Sequence, residues 1–195
     1  MEIKNVRVYG LDDSIVASGY PMLKENYSIE RASKLGGCRT GTGHDCFLKG
    51  IIVQADVTAS QVWWLQFGRY HFSDIISSQS KMHKVTEMSL VEQCNDYVFS
   101  DFIAKLNKYI HWYNNYEQYE KITGYPFSKE ELWNLIIYNI PMGLELTARI
   151  TTNYLQLKSQ YLQRKNHKLK EWKHYCRWVE GLPMFLDLTG RNKNE

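Results

Sequence analysis

The sequence predicts an α/β (α+β) fold, with strands and helices sharing one core. Three observations carry that prediction. Ile51, Val53, Ala55 and Val57 alternate around Gln54 and Asp56, at the period of two that a half-buried strand requires. Phe102, Ile103, Leu106, Tyr109, Ile110 and Tyr113 follow the three-and-four spacing of an amphipathic helix instead. The chain has 195 residues, 44% of them hydrophobic, enough for a single domain over residues 1–195 with a helical insertion at residues 87–140.

The elements follow in order. Ile3–Val8 is a strand, with Val6 and Val8 among polar residues, and Ser14–Ala17 continues it after a turn at Asp12-Asp13. Leu35–Gly43 holds four glycines in nine residues, a loop whose bare backbone can approach a ligand. Its spacing is not the dinucleotide-binding fingerprint. A strand at Leu48–Val57 leads into a short helix carrying Val62, Trp63, Leu65, Gln66 and Phe67, capped by Thr58 or Ser60 and stopped by a left-handed Gly68. Arg69–Ile76 is then extended chain or a loop, and Ser77, Ser78 and Ser80 make a polar turn.

The amphipathic helix at 102–113 takes Ser100 or Asp101 as its cap. Gly124-Tyr125-Pro126 is a turn. Ser128-Lys129-Glu130-Glu131 reads as a capping box, with Phe127 and Leu132 as its hydrophobic staple, and that helix ends before Pro141. Leu144–Thr152 is β-prone at its end. Asn153 caps a helix to Arg164, and after a break at Asn166-His167 a last helix carries Leu169, Trp172, Cys176 and Val179 as far as Gly181 and Pro183.

The net charge is +3, too small to name a partner by itself. Its distribution is uneven: Lys158, Arg164, Lys165, Lys168, Lys170, Lys173 and Arg177 face a single acid, Glu171. That stretch is either a solvated helix face or a basic wall for phosphate or nucleic acid. Four cysteines without a Cys-x-x-Cys pair fit a reduced, cytoplasmic protein. No apolar run approaches membrane-spanning length, and the first residues hold no apolar signal region.

Metal and nucleophile motifs are weak. His44-x-Cys46 and His174-x-Cys176 are not joined by further ligands at zinc spacing, so no metal is expected. The serines lack the small-residue elbow of a catalytic serine, and Cys46 beside His44 and Asp45 is an ordinary loop cysteine or an activated thiol. An anion site has more behind it. Arg69, His71, Lys81 and His83 surround the serine-rich turn, Arg164 ends a helix, and Trp63, Trp64, Tyr70 and Phe72 supply rings that can stack on a planar ligand.

Two stretches of the chain resemble the flavin-dependent thymidylate synthases. The first runs from Gly43-His44 through Ile51-Ile52-Val53 to Gln66-Phe67-Gly68-Arg69-Tyr70-His71 and Ser80-Lys81. The second is Ile140-Pro141-Met142-Gly143-Leu144, then Thr152-Asn153, Leu157, Arg164, Trp172 and Leu182-Pro183. The family's signature is a Gly-His loop, a strand, a short helix with a glutamine, then Arg-His-Arg, seven residues and a serine. This chain departs from it at Tyr70-His71, at Ser78-Gln79-Ser80, at Ser77 where the family has glutamate, and at Lys49-Gly50 where it has Glu-His.

The resemblance implies a mixed or antiparallel sheet packed by helices. It implies FAD held by His44, Arg69, His71 and Asn153, and a pyrimidine nucleotide such as dUMP held by Gln66, Ser78, Gln79, Lys81 and Arg164. It also implies catalytic roles for Arg69, Ser80 and Arg164, with reduced folate and NADPH as co-substrates and a tetrameric homo-oligomer as the assembly. If activity is retained, it is the transfer of a folate one-carbon unit to pyrimidine C5. The alternative is a non-catalytic binding or inhibitory protein on the same scaffold. It would engage nucleic acid or a nucleic-acid enzyme through the basic C-terminal helices and the tyrosine-rich surface.

Overall fold

The structure, a computed structural model, describes residues 1–123 and 127–191. The turn expected at Gly124-Tyr125-Pro126 lies outside the described residues. The elements are β1 (Glu2–Tyr9), α1 (Leu11–Ala17), α2 (Ile29–Gly36), β2 (Ile52–Ser60), α3 (Gln61–Phe67), β3 (Asp74–Ser78), α4 (Lys81–Lys84) and α5 (Leu90–Gln93). They continue with α6 (Ser100–Asn114), α7 (Tyr116–Thr123), α8 (Lys129–Tyr138), β4 (Glu145–Asn153), α9 (Tyr154–Arg164), α10 (Lys170–Glu180) and α11 (Phe185–Leu188). The four strands form one antiparallel sheet in the order β1-β2-β4-β3, so the fold is mixed α/β. Backbone bonds set the register: Tyr154 N–H donates to Ile51 O (3.0 Å), and Gln61 N–H to Leu144 O (3.1 Å).

The chain divides into two compact units. The first comprises residues 1–57, 66–77 and 148–195. Its core holds Ile51, Val53, Ala55 and Val57, the buried side of β2's alternation, with Ile150, Tyr154, Leu157, Trp172, Tyr175 and Val179. The second comprises residues 58–65 and 78–147. There Val85, Leu90, Leu106, Ile110, Ile136 and Leu144 form a buried cluster, because α6 and α8 turn their apolar stripes inward.

Most helix signals behave locally. Ser128 and Glu131 form the capping box of α8, Asn153 Oδ1 accepts from Gln156 N–H at the start of α9, and Ser60 Oγ accepts from Trp63 N–H at the start of α3. The α9 cap gives a direct expectation. Asn153→Ala should cost about 1 kcal/mol, read as a lower melting temperature, and an unchanged melt would mean the cap is replaced by solvent.

Five expectations are corrected. Gly68 does not take the left-handed backbone expected of it at the end of α3. Ser14–Ala17 is not a strand but the end of α1. Gly10 is left-handed (φ 68°) and turns the chain, and Asp12 and Asp13 then sit in the first helical turn, where the helix dipole favours negative charge. The cap of α6 is Phe99, with no side-chain bond, rather than Ser100 or Asp101. The serines do not make a turn. Ser77 and Ser78 end strand β3, and Ser80 caps α4. Lys158 leaves the basic wall altogether and is buried.

Candidate functional site

Three segments of the first unit, Gln66–Tyr70, α9 and α10, meet at Arg164. Helix α3 ends at Phe67, and a turn through Gly68 closes with Tyr70 N–H donating to Phe67 O (3.0 Å), which brings Tyr70 back beside Gln66. The Asn153 cap starts α9, and Arg164 is its last residue. Trp172 enters from the buried face of α10. Arg164 Nε donates to Tyr70 Oη (2.7 Å) and its Nη1 to Gln66 Oε1 (3.2 Å). The guanidinium lies 4.6 Å from the centre of the Trp172 ring and 5.5 Å from that of Tyr70, both within cation–π range.

This geometry sets the polarity of the cluster. Gln66 Oε1 also accepts from Trp172 Nε1 (2.8 Å), so two donors hold its amide with the oxygen inward. The Gln66 amide N–H groups and the remaining Arg164 N–H groups are left to donate. The hydrogen-bond and ring partners of Arg164 among the described residues are all uncharged, so its charge is held in place but not neutralised by a contacting carboxylate. Burial lowers the pKa of nearby His167, and the Arg164 charge adds to the shift, so that imidazole stays neutral at neutral pH. The cluster is a half-buried donor surface with aromatic walls, suited to an anion or a carbonyl edge.

A buried polar chain braces the helices behind it. Tyr175 Oη donates to Gln160 Oε1 (2.8 Å), Gln160 Nε2 donates to Ser73 Oγ (2.7 Å), and Ser73 shares a hydrogen bond with Thr152 Oγ1 (2.8 Å).

The glycine-rich loop is anchored by a residue that its sequence context disguises. Lys158 Nζ donates to Gly36 O (2.7 Å), Cys38 O (2.6 Å) and Asp45 Oδ2 (2.7 Å), which uses all three of its N–H bonds. Both side chains of the pair are 2% exposed. One ammonium therefore holds both ends of the excursion from Arg39 to His44, in which Gly41 (φ 94°) and Gly43 (φ 83°) take left-handed backbone. Gly43, His44, Cys46, Phe47, Leu35 and Met22 help to line a cavity of about 610 Å³. Lys158 looks like part of a basic run, yet it lies on the helix face of Tyr154, Leu157 and Tyr161, and that spacing was the available signal.

The remaining candidates are placed elsewhere. Arg69 and His71 are exposed and make no side-chain hydrogen bond among the described residues. Ser78, Gln79, Ser80 and Lys81 belong to the second unit and Arg164 to the first. Gln79 pairs with β4 through its backbone N–H to Thr147 O (2.9 Å) and through Oε1 to Thr147 N–H (2.9 Å). Ser80 Oγ accepts from His83 N–H (3.3 Å) and contacts His83 Nδ1 (2.9 Å). Lys81 Nζ donates to Gln61 Oε1 (2.5 Å), a partner the sequence reading did not single out. Cys176 is no thiolate, because burial, with Glu180 adding to it, pushes its pKa up to about 12. Among the described residues no group of three or more His, Cys, Asp or Glu side chains could hold a metal ion, and no helix is long and apolar enough to cross a membrane.

No family model and no curated protein matches the sequence. Solved structures do match the fold. One is the flavin-dependent thymidylate synthase ThyX from Helicobacter pylori complexed with FAD and dUMP, with a TM-score of 0.69 and 13% identity over 97% of both chains. Another is thymidylate synthase X from Helicobacter pylori with FAD and dUMP, with a TM-score of 0.70 and 14% identity over the full length of both chains. The chain therefore has the thymidylate synthase X fold from end to end.

Proposed function

We propose that this protein binds FAD and a pyrimidine nucleotide of the dUMP type and transfers a folate one-carbon unit to pyrimidine C5, as a divergent thymidylate synthase X-like enzyme. The observation that carries this reading is the Arg164 cluster. A guanidinium whose contacts among the described residues include no carboxylate, fixed by Tyr70, Gln66 and Trp172, is organised before any ligand arrives. Such preorganised donors act most strongly on charge that develops on a bound ring. The fold match to structures holding FAD and dUMP supports the choice of ligands.

The residues also fit a flavin. The cavity beside His44 is about 610 Å³ and is lined by Ala17, Pro21, Met22, Leu35 and Phe47, which suits a planar ring. When bound, the flavin supplies the redox chemistry, with NADPH as reductant and reduced folate as one-carbon donor. The chain's own residues bind and orient. His44, Arg69, His71 and Asn153 would hold the cofactor, with Asn153 also capping the start of α9. Gln66 and Arg164 donate to the pyrimidine, while Lys81, Ser78 and Gln79 serve the nucleotide in a homotetramer.

A second reading has its own support. Ser80 and Gln79 already spend their side chains on a helix cap and on β4, and the family's second fixed positive charge is an imidazole at His71. The scaffold then serves a non-catalytic binding or inhibitory protein that engages nucleic acid or a nucleic-acid enzyme in place of FAD. The visible spectrum of the purified protein, followed by titration with FAD, separates the readings. Flavin absorption is expected, and a colourless protein that also fails to take up added FAD would sink the enzyme reading.

A further inference from the structure

We propose that a second cavity, next to the one beside His44, receives the anionic tail of the ligand whose planar ring the first cavity takes. The second cavity has a volume of about 650 Å³ and is lined by Lys24, Asn26, Ser28, Glu30, Arg31 and Lys34. Met22 and Leu35 complete its lining. Both also line the cavity beside His44, so the two cavities adjoin across these side chains. The first is walled largely by apolar groups and the second by polar and charged ones.

The polar wall is braced from within the fold. Arg31 Nη1 donates to Asn26 Oδ1 (3.1 Å), Nη2 to Asn26 O (2.7 Å) and to Ile15 O (3.3 Å), and Nε to Ser18 Oγ (3.2 Å). One guanidinium thus ties α1 and the excursion that follows it to α2. Gly19 permits the close approach, since a Cβ there would run into Lys24 O and the Arg31 guanidinium. Lys24 N–H donates to Gly19 O (3.1 Å), which fixes the backbone from which its ammonium extends.

These bonds decide which groups face a ligand. Arg31 is spent as a brace. Its bond to Oδ1 holds the Asn26 amide with the oxygen inward, and the Nδ2 N–H groups are left to donate. Lys24 and Lys34 are exposed, and their ammonium groups make no hydrogen bond or ion pair among the described residues. The one acid in the lining, Glu30, sits in the first turn of α2, where the helix dipole favours it. It offsets part of the field, but Lys24, Arg31 and Lys34 outnumber it.

Two ammonium charges and an amide donor, with no aromatic residue in the lining, suit a flexible anion and not a second ring. Two sources share that chemistry, the diphosphate arm of FAD and the γ-glutamyl carboxylates of a folate. The site rests on the reading of the cavity beside His44 as a ring site.

The test titrates the full chain with two series. Riboflavin, FMN and FAD share a ring and differ in phosphate, while pteroate, folate and folate triglutamate share a ring and differ in carboxylates. Flavin fluorescence and calorimetry read the affinities. In one series affinity is expected to rise about tenfold from the shortest tail to the longest, the scale of two exposed charge contacts, and the rise should shrink at high salt. Lys24→Glu with Lys34→Glu is expected to abolish the rise and to leave the affinity for riboflavin or pteroate unchanged. The charge-matched control, Lys105→Glu with Lys121→Glu on α6 and α7, is expected to change little. A rise in the flavin series assigns the cavity to the diphosphate, and a rise in the folate series assigns it to the glutamyl tail. No rise in either series, or a rise that survives the Lys24 and Lys34 substitutions, overturns the proposal, and binding of riboflavin or pteroate then leaves the ring site standing. If no member of either series binds, the ring site falls as well.

Discussion

Replacing Lys158 with methionine is expected to destabilise the folded chain by about 3–5 kcal/mol. The substitution keeps most of the side-chain volume and removes the ammonium. Asp45, 2% exposed, is then left charged and without its partner, and the carbonyls of Gly36 and Cys38 lose a donor. Chemical denaturation should show a lower midpoint with a nearly unchanged slope. Adding Asp45→Leu should recover part of the loss, since the unpaired charge is gone, but not all of it. The buried Gly36 carbonyl stays without its donor at about 1–3 kcal/mol, and the part-buried Cys38 carbonyl costs less. A single variant within about 1 kcal/mol of the parent would show that the pair is not held as described. FAD uptake should fall in the surviving folded fraction, because the loop carrying His44 loses the anchor at both its ends.

Arg164→Ala is expected to weaken dUMP binding about ten- to a hundredfold. A hydrogen bond from a charged donor contributes about 1.5–3 kcal/mol, and each 1.4 kcal/mol is a factor of ten. Calorimetric titration of the FAD-loaded protein measures it, alongside a melt to establish that the variant is folded. Arg164→Lys is the informative companion. It keeps the charge and loses the planar fork that meets Tyr70 and Gln66 together, so it should recover only a minor part of the affinity. Undiminished dUMP affinity in folded Arg164→Ala would remove the nucleotide site from this cluster. Loss of dUMP binding with intact FAD uptake would place Arg164 in the nucleotide half of the site alone.

The departures from the family signature change meaning once the side chains are placed. Tyr70, read in sequence as a lost histidine, is the acceptor that orients Arg164, and its hydroxyl donates on to Gln163 (3.0 Å). Gln79, at the position where a family serine would fall, is taken up by β4. These partners lie between 68 and 94 residues away along the chain, so no local pattern announces them. Gln66 was legible as a candidate, but not its double acceptor role, because that depends on Trp172 arriving from another helix.

What the sequence determined by itself is what short-range physics controls. The β2 alternation, the amphipathic stripe of α6, the capping box at Ser128 and the Asn153 cap are each decided within a few residues, by side-chain direction and by backbone N–H groups that need an acceptor. Tertiary structure alone decided which charges are free to meet a ligand. Lys158 and Lys173 are the same residue in the same basic run, yet one sits 2% exposed against Asp45 and the other stands in solvent. The difference is the cost of burying a charge, which can be met only where a distant carboxylate and two distant carbonyls are folded around it.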